Sequence, residues 1–389
     1  MKLNLSNIDE IAELIKTGKT PPSKNKKYFD GKIAWYTPGD LGKSFYLQES
    51  ERTITEEAIR DNKAVVFPKG TVLISCIGDI GKVGVCFSGR SSSNQQITGI
   101  LPTKDVASEY LYYWVKANKK ILEHNSNNAV VPILNNAALK RIKLKCPSFE
   151  EQKQIVQILD TADTLRQNRK EQLNLLDDYL KSVFFKMFGD PIHNEKKWSC
   201  CEVYKLCSKI IDCPHSTPKY ADVITDYPCI RSSDLQDGFV DYATTKYVEF
   251  SVYQDRTQRC VPEEGDVIYC REGARYGSSG YLSSGTKACL GQRTMMFRAM
   301  PDKVTPEFLW GLISSDSIYF QARQMAGGAA SPHINVKDIK KFKVFCPPIE
   351  LQKKFSNIFK LIQTTKQKMH ASLDEMDNHF NALMQRYFG

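Results

Sequence analysis

Four stretches of the sequence hold residue types that could do chemistry, and each falls short of a site. Gly78-x-x-Gly81-Lys82-x-Gly84 has the glycines and lysine of a phosphate cradle. The G-x4-G-K-[ST] spacing is broken because Cys76 stands where the first glycine belongs and Val83 follows the lysine. Cys346-Pro347-Pro348-Ile349 has the paired prolines of an Asn/Asp-Pro-Pro-aromatic amino-methyltransferase motif but neither its polar first residue nor its aromatic last one. Glu151-Gln152-Lys153 fits only the short E-x-K half of a nuclease site. Cys200, Cys201, Cys207, Cys213 and His215 lack the C-x2-C pairs of zinc sites. No Ser/His/Asp or Cys/His set stands out among six histidines. The expectation is a chain without catalytic residues, metal or cofactor of its own.

Loops that mix cations, amides and aromatics suit recognition better. In the first half they carry Lys24, Lys26, Lys27, Lys82, Arg90, Asn94, Gln95 and Gln96. In the second half they carry His215, Lys219, Tyr220, Arg231, Arg271, Arg275, Tyr276, Gln292 and Arg293. Lys and Arg neutralise phosphates, Arg presents a fork to guanine, and Asn or Gln pairs with adenine. The formal net charge of +10 suits a polyanion partner, although a basic protein without one has the same composition. Met1 to Ser6 runs directly into a polar amphipathic pattern, and no window holds the roughly 18 apolar residues of a membrane span. Twelve cysteines in that setting read as reduced thiols and the location as cytoplasmic.

The elements that must position these loops announce themselves by repetition. Phe149 to Phe188 contains no glycine or proline, and apolar residues recur at steps of four and three through Ile155, Leu159, Leu173, Leu176, Leu180 and Met187. At about 1.5 Å per residue, such a helix is roughly 60 Å long. Two hundred positions later the pattern returns. Lys140 to Lys153 and Lys340 to Lys353 share seven of fourteen residues, where chance gives about one. The seam recurs at Phe355, Phe359, Ile362, Leu373, Phe380 and Leu383.

The segments before the two helices also retrace each other. Asp40-Leu41 matches Asp234-Leu235, Gly70 matches Gly265, and Gly78, Gly81 and Gly84 match Gly273, Gly277 and Gly280. Asn94-Gln95-Gln96 matches Gly291-Gln292-Arg293, and Ala129, Pro132 and Asn135 match Ala329, Pro332 and Asn335. Strand-like runs at Ile33–Thr37, Val65–Phe67, Thr71–Ile77 and Val83–Phe87 predict a mainly β core, with a helix near Glu109–Lys116. An opening helix is expected at Ser6–Ile15, capped by Ser6 with Asp9 three residues on.

The predicted fold is α+β. Recognition domains at 1–148 and 191–348 alternate with helices at 149–190 and 349–389. Connectivity makes the helix pair antiparallel, coiled-coil-like and pseudo-twofold, with a globule at each end. Arg166, Arg169 and Lys366 interrupt the seam. They form a buried polar layer that fixes register, or they snorkel to solvent. Tyr179, Phe184 and Phe185 are assigned to the outer face, for a protein partner.

With both copies in view, the chain resembles the specificity (S) subunits of type I restriction-modification systems. The resemblance rests on Cys146-Pro-Ser-Phe-Glu-Glu-Gln-Lys153 through Met187-Phe-Gly-Asp-Pro191, on Cys346-Pro-Pro-Ile-Glu-Leu-Gln-Lys353 through Tyr387-Phe-Gly389, and on the duplication. It implies two target recognition domains that each read half of a split double-stranded DNA sequence, with the helices as a ruler. It also implies two methyltransferase (M) subunits docked on the helices, and restriction (R) subunits. S-adenosylmethionine, ATP and Mg2+ then belong to those partners. A helical scaffold joining proteins without reading DNA is the rival from another class.

Overall fold

The computed structural model describes residues 4–127, 130–236, 238–283, 285–326 and 333–389. Met1, Ala129, Ala329 and Pro332 from the sequence comparison lie outside the described residues. By contacts the chain divides into two compact units, residues 1–169 with 372–389, and residues 170–371. Among the described residues no helix is long and apolar enough to cross a membrane.

In the first unit a five-stranded sheet runs in the order Ala12–Thr17, Ile97–Pro102, Val72–Ser75, Val83–Cys86, Tyr46–Leu47. A three-stranded sheet places Phe29–Tyr36 between Thr53–Ile54 and Ser91–Ser93. Asn4–Asn7 pairs antiparallel with Lys143–Cys146, just before the first long helix. The second unit has the same plan. Its larger sheet runs Cys207–Asp212, Thr294–Ala299, Val267–Cys270, Ser279–Tyr281, Gly238–Val240, with Leu235–Gln236 added at the edge. Lys246–Tyr247, Pro228–Ile230 and Cys289–Leu290 form its smaller sheet, and Cys200–Glu202 pairs with Lys343–Phe345. The matched Asp40 and Asp234 do the same work in both copies: each buried carboxylate accepts the N–H three residues earlier, from Thr37 at 2.7 Å and from Arg231 at 2.9 Å.

Two expected elements are different. Ser6–Ile15 is not a helix: Asn4–Asn7 and Ala12–Thr17 are strands joined by a 3-10 turn at Ile8–Ile11. Ile8 and Ile11 are buried by that turn, whose i, i+3 spacing imitates a helix face, and Glu10 rather than Asp9 bonds back, to Asn7. Val65–Phe67 makes only an isolated bridge from Phe67 to Ser91.

The long helices span Phe149–Phe188 and Ile349–Phe388. Ser148 and Glu151 form a capping box at the first one's start. In the first unit, the beginning of the first helix runs antiparallel to the end of the second: Lys145 Nζ meets the Gly389 carbonyl while Arg166 meets Asp377. Leu159, Phe380, Met384 and Phe388 share that unit's core with Tyr110 and Tyr113. In the second unit, Phe184, Phe188, Phe355 and Phe359 share a core with Phe308 and Trp310.

Two of the three polar interruptions of the seam, Arg166 and Lys366, are half-buried and ion-paired. Arg166 Nε lies 2.5 Å from Asp377, its Nη1 is 2.7 Å from Asp163, and its guanidinium sits 4.3 Å from the Phe380 ring centre. Lys366 Nζ lies 2.5 Å from Asp177 and 4.5 Å from the Phe239 ring centre. Arg166 corresponds to Lys366 and Asp377 to Asp177, so the same cross-helix pair occurs once in each unit. For Arg166 and Lys366 the geometry supports the buried-layer reading, because both cations are covered and paired.

The identical glutamines of the repeated motif explain its persistence. Gln152 and Gln352 are 1 % and 0 % exposed. Gln152 accepts from Ala107 N at 2.9 Å and donates to the Asp105 and Pro147 carbonyls, both at 3.0 Å. Gln352 accepts from Thr305 N at 3.0 Å and donates to Pro347 O at 2.8 Å and Lys303 O at 3.4 Å. Each amide fastens a long helix to the globule before it. Gln352→Leu leaves those buried groups unsatisfied and is expected to cost about 1–3 kcal/mol; an unchanged urea midpoint would refute the anchoring role. A double-mutant cycle on Arg166→Ala and Asp377→Ala is expected to give a coupling of about 0.5–1 kcal/mol in the same assay. Strict additivity would place the pair in solvent.

Candidate nucleic-acid interface

In each unit, three loops are knitted together by backbone hydrogen bonds at the end of the larger sheet. In the first unit, Gly18 N and Lys19 N donate to the Ile97 and Ser93 carbonyls, both at 2.9 Å, and Cys76 N donates to Gln96 O at 2.7 Å. In the second, Cys213 N donates to Thr294 O at 3.2 Å and Arg271 N to Arg293 O at 3.1 Å. Both copies add one side-chain clasp. Thr20 Oγ1 donates to Gln95 Oε1, and Thr217 Oγ1 donates to Gln292 Oε1 at 3.0 Å. Thr217 follows Thr20, and Gln292 follows Gln95, by the same 197 positions, each threonine preceding a proline. The sequence reading missed Thr20-Pro21 and Thr217-Pro218, although their shared offset was there to be read.

The first unit's candidates divide into free and committed groups. Lys24 and Lys26 are exposed on the loop that starts at Gly18, and Gln95 is exposed beside it. Lys27 belongs to a local ion cluster, 2.8 Å from Glu57 and 3.1 Å from Asp61. Glu57 first, then Asp61, hold its ammonium above the ordinary lysine range. Lys82 pairs with Asp79 at 3.2 Å and Arg90 with Glu56 at 2.6 Å. Asn94 is buried and shapes its turn, accepting from Gln96 N at 3.0 Å and donating to Gln96 Oε1 at 2.8 Å. The stretch around Gly78 and Gly81 is a turn between strands, with both glycines at positive φ and no helix following to receive a phosphate.

In the second unit, His215, Arg271, Gln292 and Arg293 come together. Arg271 is not a reader, however: it is 3 % exposed. Its Nε lies 2.9 Å from Asp212, its Nη1 donates to Ile334 O at 3.3 Å, and its Nη2 is 3.4 Å from His215 Nδ1. His215 in turn lies 3.3 Å from Asp212, and His333 lies 2.8 Å from Glu272. Arg271 is the hub of this cluster, of which the sequence reading saw only His215 and the arginine. Arg231 is likewise committed, to Asp234 at 2.6 Å and to the Thr244 carbonyl. Arg275 is exposed but donates to the Ser233 and Leu235 carbonyls. Tyr276 stacks on Tyr319, and Tyr220, its phenol pushed up by burial, lies under Lys246. Lys219 and Arg293 remain exposed.

Among the described residues, no group of three or more His, Cys, Asp or Glu is placed to hold a metal ion. Cys207 and Cys213 are buried, and burial pushes the Cys207 thiol up to about 12.

The proposed partner face needs one correction. Tyr179 and Phe185 are exposed, but Phe184 is buried, stacked on Phe308 with ring centres 5.5 Å apart. Gly311 makes the room: a Cβ there would lie 2.2 Å from the Phe184 ring. At the matching positions of the first unit, Met384 and Tyr113 share one core.

The comparisons with known proteins agree with this architecture. The family model described as "Type I restriction modification DNA specificity domain" matches residues 2–175 and 221–375. The type I restriction enzyme MjaIX specificity subunit of Methanocaldococcus jannaschii is 35 % identical over 199 residues, half of this chain and 46 % of that one. The putative MjaX specificity subunit of the same organism is 24 % identical over 382 residues, covering 91 % of this chain and 85 % of that one. A crystal structure of the type I restriction-modification S subunit from M. genitalium shares the fold at a TM-score of 0.56, with 14 % identity over 100 % of this chain and 97 % of that one. Matched over both halves by that model, the chain belongs to the type I restriction-modification DNA specificity family.

Proposed function

We propose that this chain is the DNA-reading subunit of a type I restriction-modification complex, with the globule of each unit reading one half of a bipartite target. The observation that carries the reading is the duplicated interface. The two units hold the same three loops with the same threonine–glutamine clasp but expose different side chains. A common scaffold suits what all DNA shares, its phosphates, and variable side chains suit the bases, which differ between half-sites. The long helices set the gap between half-sites, on the scale of one DNA turn, ~34 Å.

Two methyltransferase subunits dock on the helices and their flanks, where exposed Tyr179 and Phe185 supply aromatic anchors of the kind enriched at interfaces. Restriction subunits join that core. S-adenosylmethionine, ATP and Mg2+ serve those partners. One solved structural neighbour, at a TM-score of 0.55, comes from a study of complex assembly in a type I system, which supports a multi-subunit reading.

Replacing residues 193–345 by the same segment of another family member, in the presence of the methyltransferase subunits, is expected to change one half-site and leave the other intact. Binding assays over a DNA library read the result. A change in both halves would end the modular reading, and an absence of any sequence preference would favour the scaffold alternative.

A further inference from the structure

Five described residues other than glycine have positive φ: Asp30, Asn62, Asn194, Lys197 and Arg293. Asp and Asn tolerate that conformation through short polar side chains. Lys197 sits in a tight turn closed by its own N–H on the Asn194 carbonyl at 2.8 Å. Arg293, at φ 72°, is the remaining long side chain in the left-handed region, and glycine or asparagine would adopt it more readily.

The surroundings hold that backbone in place. The Arg293 carbonyl accepts from Arg271 N, Gly291 N donates to Ile230 O at 2.7 Å, and Gln292 is clasped by Thr217 and donates to His215 O at 3.1 Å. The side chain is treated differently. Arg231, Arg271 and Arg298 are tied to carboxylates, and Arg256 donates to three carbonyls. Among the described residues, the Arg293 guanidinium has no ion pair and no hydrogen bond. It lies over Gly273, where a Cβ would come within 3.2 Å of Nη1. The corresponding Gly78 of the first unit faces open space, and its counterpart side chain, Gln96, is occupied by Asn94. The second unit therefore presents an unspent planar fork on a rigid, conformationally unfavourable backbone, and unfavourable backbone held this way marks functional positions.

We propose that Arg293 is a specificity-determining residue that reads a guanine in the half-site bound by the second unit, donating to O6 and N7. The proposal rests on the DNA-reading function above. A lysine keeps the charge but not the fork, and a glycine removes the side chain while relieving the backbone.

The test uses the full chain assembled with its methyltransferase subunits, assayed over DNA libraries at several salt concentrations, with R293K and R293G. Both variants are expected to lose preference for guanine at one position of one half-site, by about tenfold to a hundredfold. The melting temperature of R293G is expected to stay level or rise. Uniform weakening across all sequences with a shallower salt dependence would show a phosphate contact and overturn the proposal. So would an unchanged target, or a lower melting temperature for R293G, which would make the residue structural. A wild-type complex without split preference would remove the DNA-reading function itself, and this proposal with it.

Discussion

Neither globule closes its own core. In the first unit, the wall beside Tyr110 and Tyr113 is completed by Phe380, Met384 and Phe388 from the far end of the chain. In the second, Phe184 and Phe188 come from the helix that precedes the globule, and Phe355 and Phe359 from the one that follows it. Each of these side chains is worth about 1.5–3 kcal/mol when fully buried, so losing a helix end opens a core rather than freeing a tail. Within each unit, a portion of one long helix packs antiparallel on a portion of the other to finish the core. Everything that presents loops to a ligand depends on that pairing.

Register is set by a few polar contacts inside an otherwise apolar seam. Slipping one helix by a turn would bring Arg166 away from Asp377 and, in the other unit, Lys366 away from Asp177, leaving charges half-buried without partners. The anchors Gln152 and Gln352 tie each helix start to its own globule through buried hydrogen bonds. Because the scaffold is built from burial and internal bonds, the exposed side chains on the loops can vary without unfolding it. That separation is what lets one fold carry two different reading surfaces.

The duplication was legible in the sequence because its marks are the residues that burial and backbone geometry constrain: the seam, the turn glycines, the buried aspartates and glutamines. The misreadings have a common physical source. Helical spacing at Ile8 and Ile11 is shared by a 3-10 turn between strands, and only sheet pairing decides between them. Phe184 and Phe185 are adjacent on one helix, and composition does not say which of them is buried; the missing side chain at Gly311 gives that place to Phe184. Arg271 stands in a turn, where cations are usually solvated, and its burial depends on Asp212, 59 residues earlier. For the candidate loops the sequence shows which residue types they carry but not which charges are already spent, since ion pairs such as Lys27 with Glu57 form only in the fold.

In the proposed function, two equivalent units of one chain read two separate pieces of DNA. Sequencing methylated adenines in cells that carry this chain with its methyltransferase and restriction partners tests it most directly. The account predicts one split motif, with a modified adenine in each half and a fixed gap of unspecified bases. Modification at a single continuous motif, or at two halves whose spacing varies freely, would contradict it.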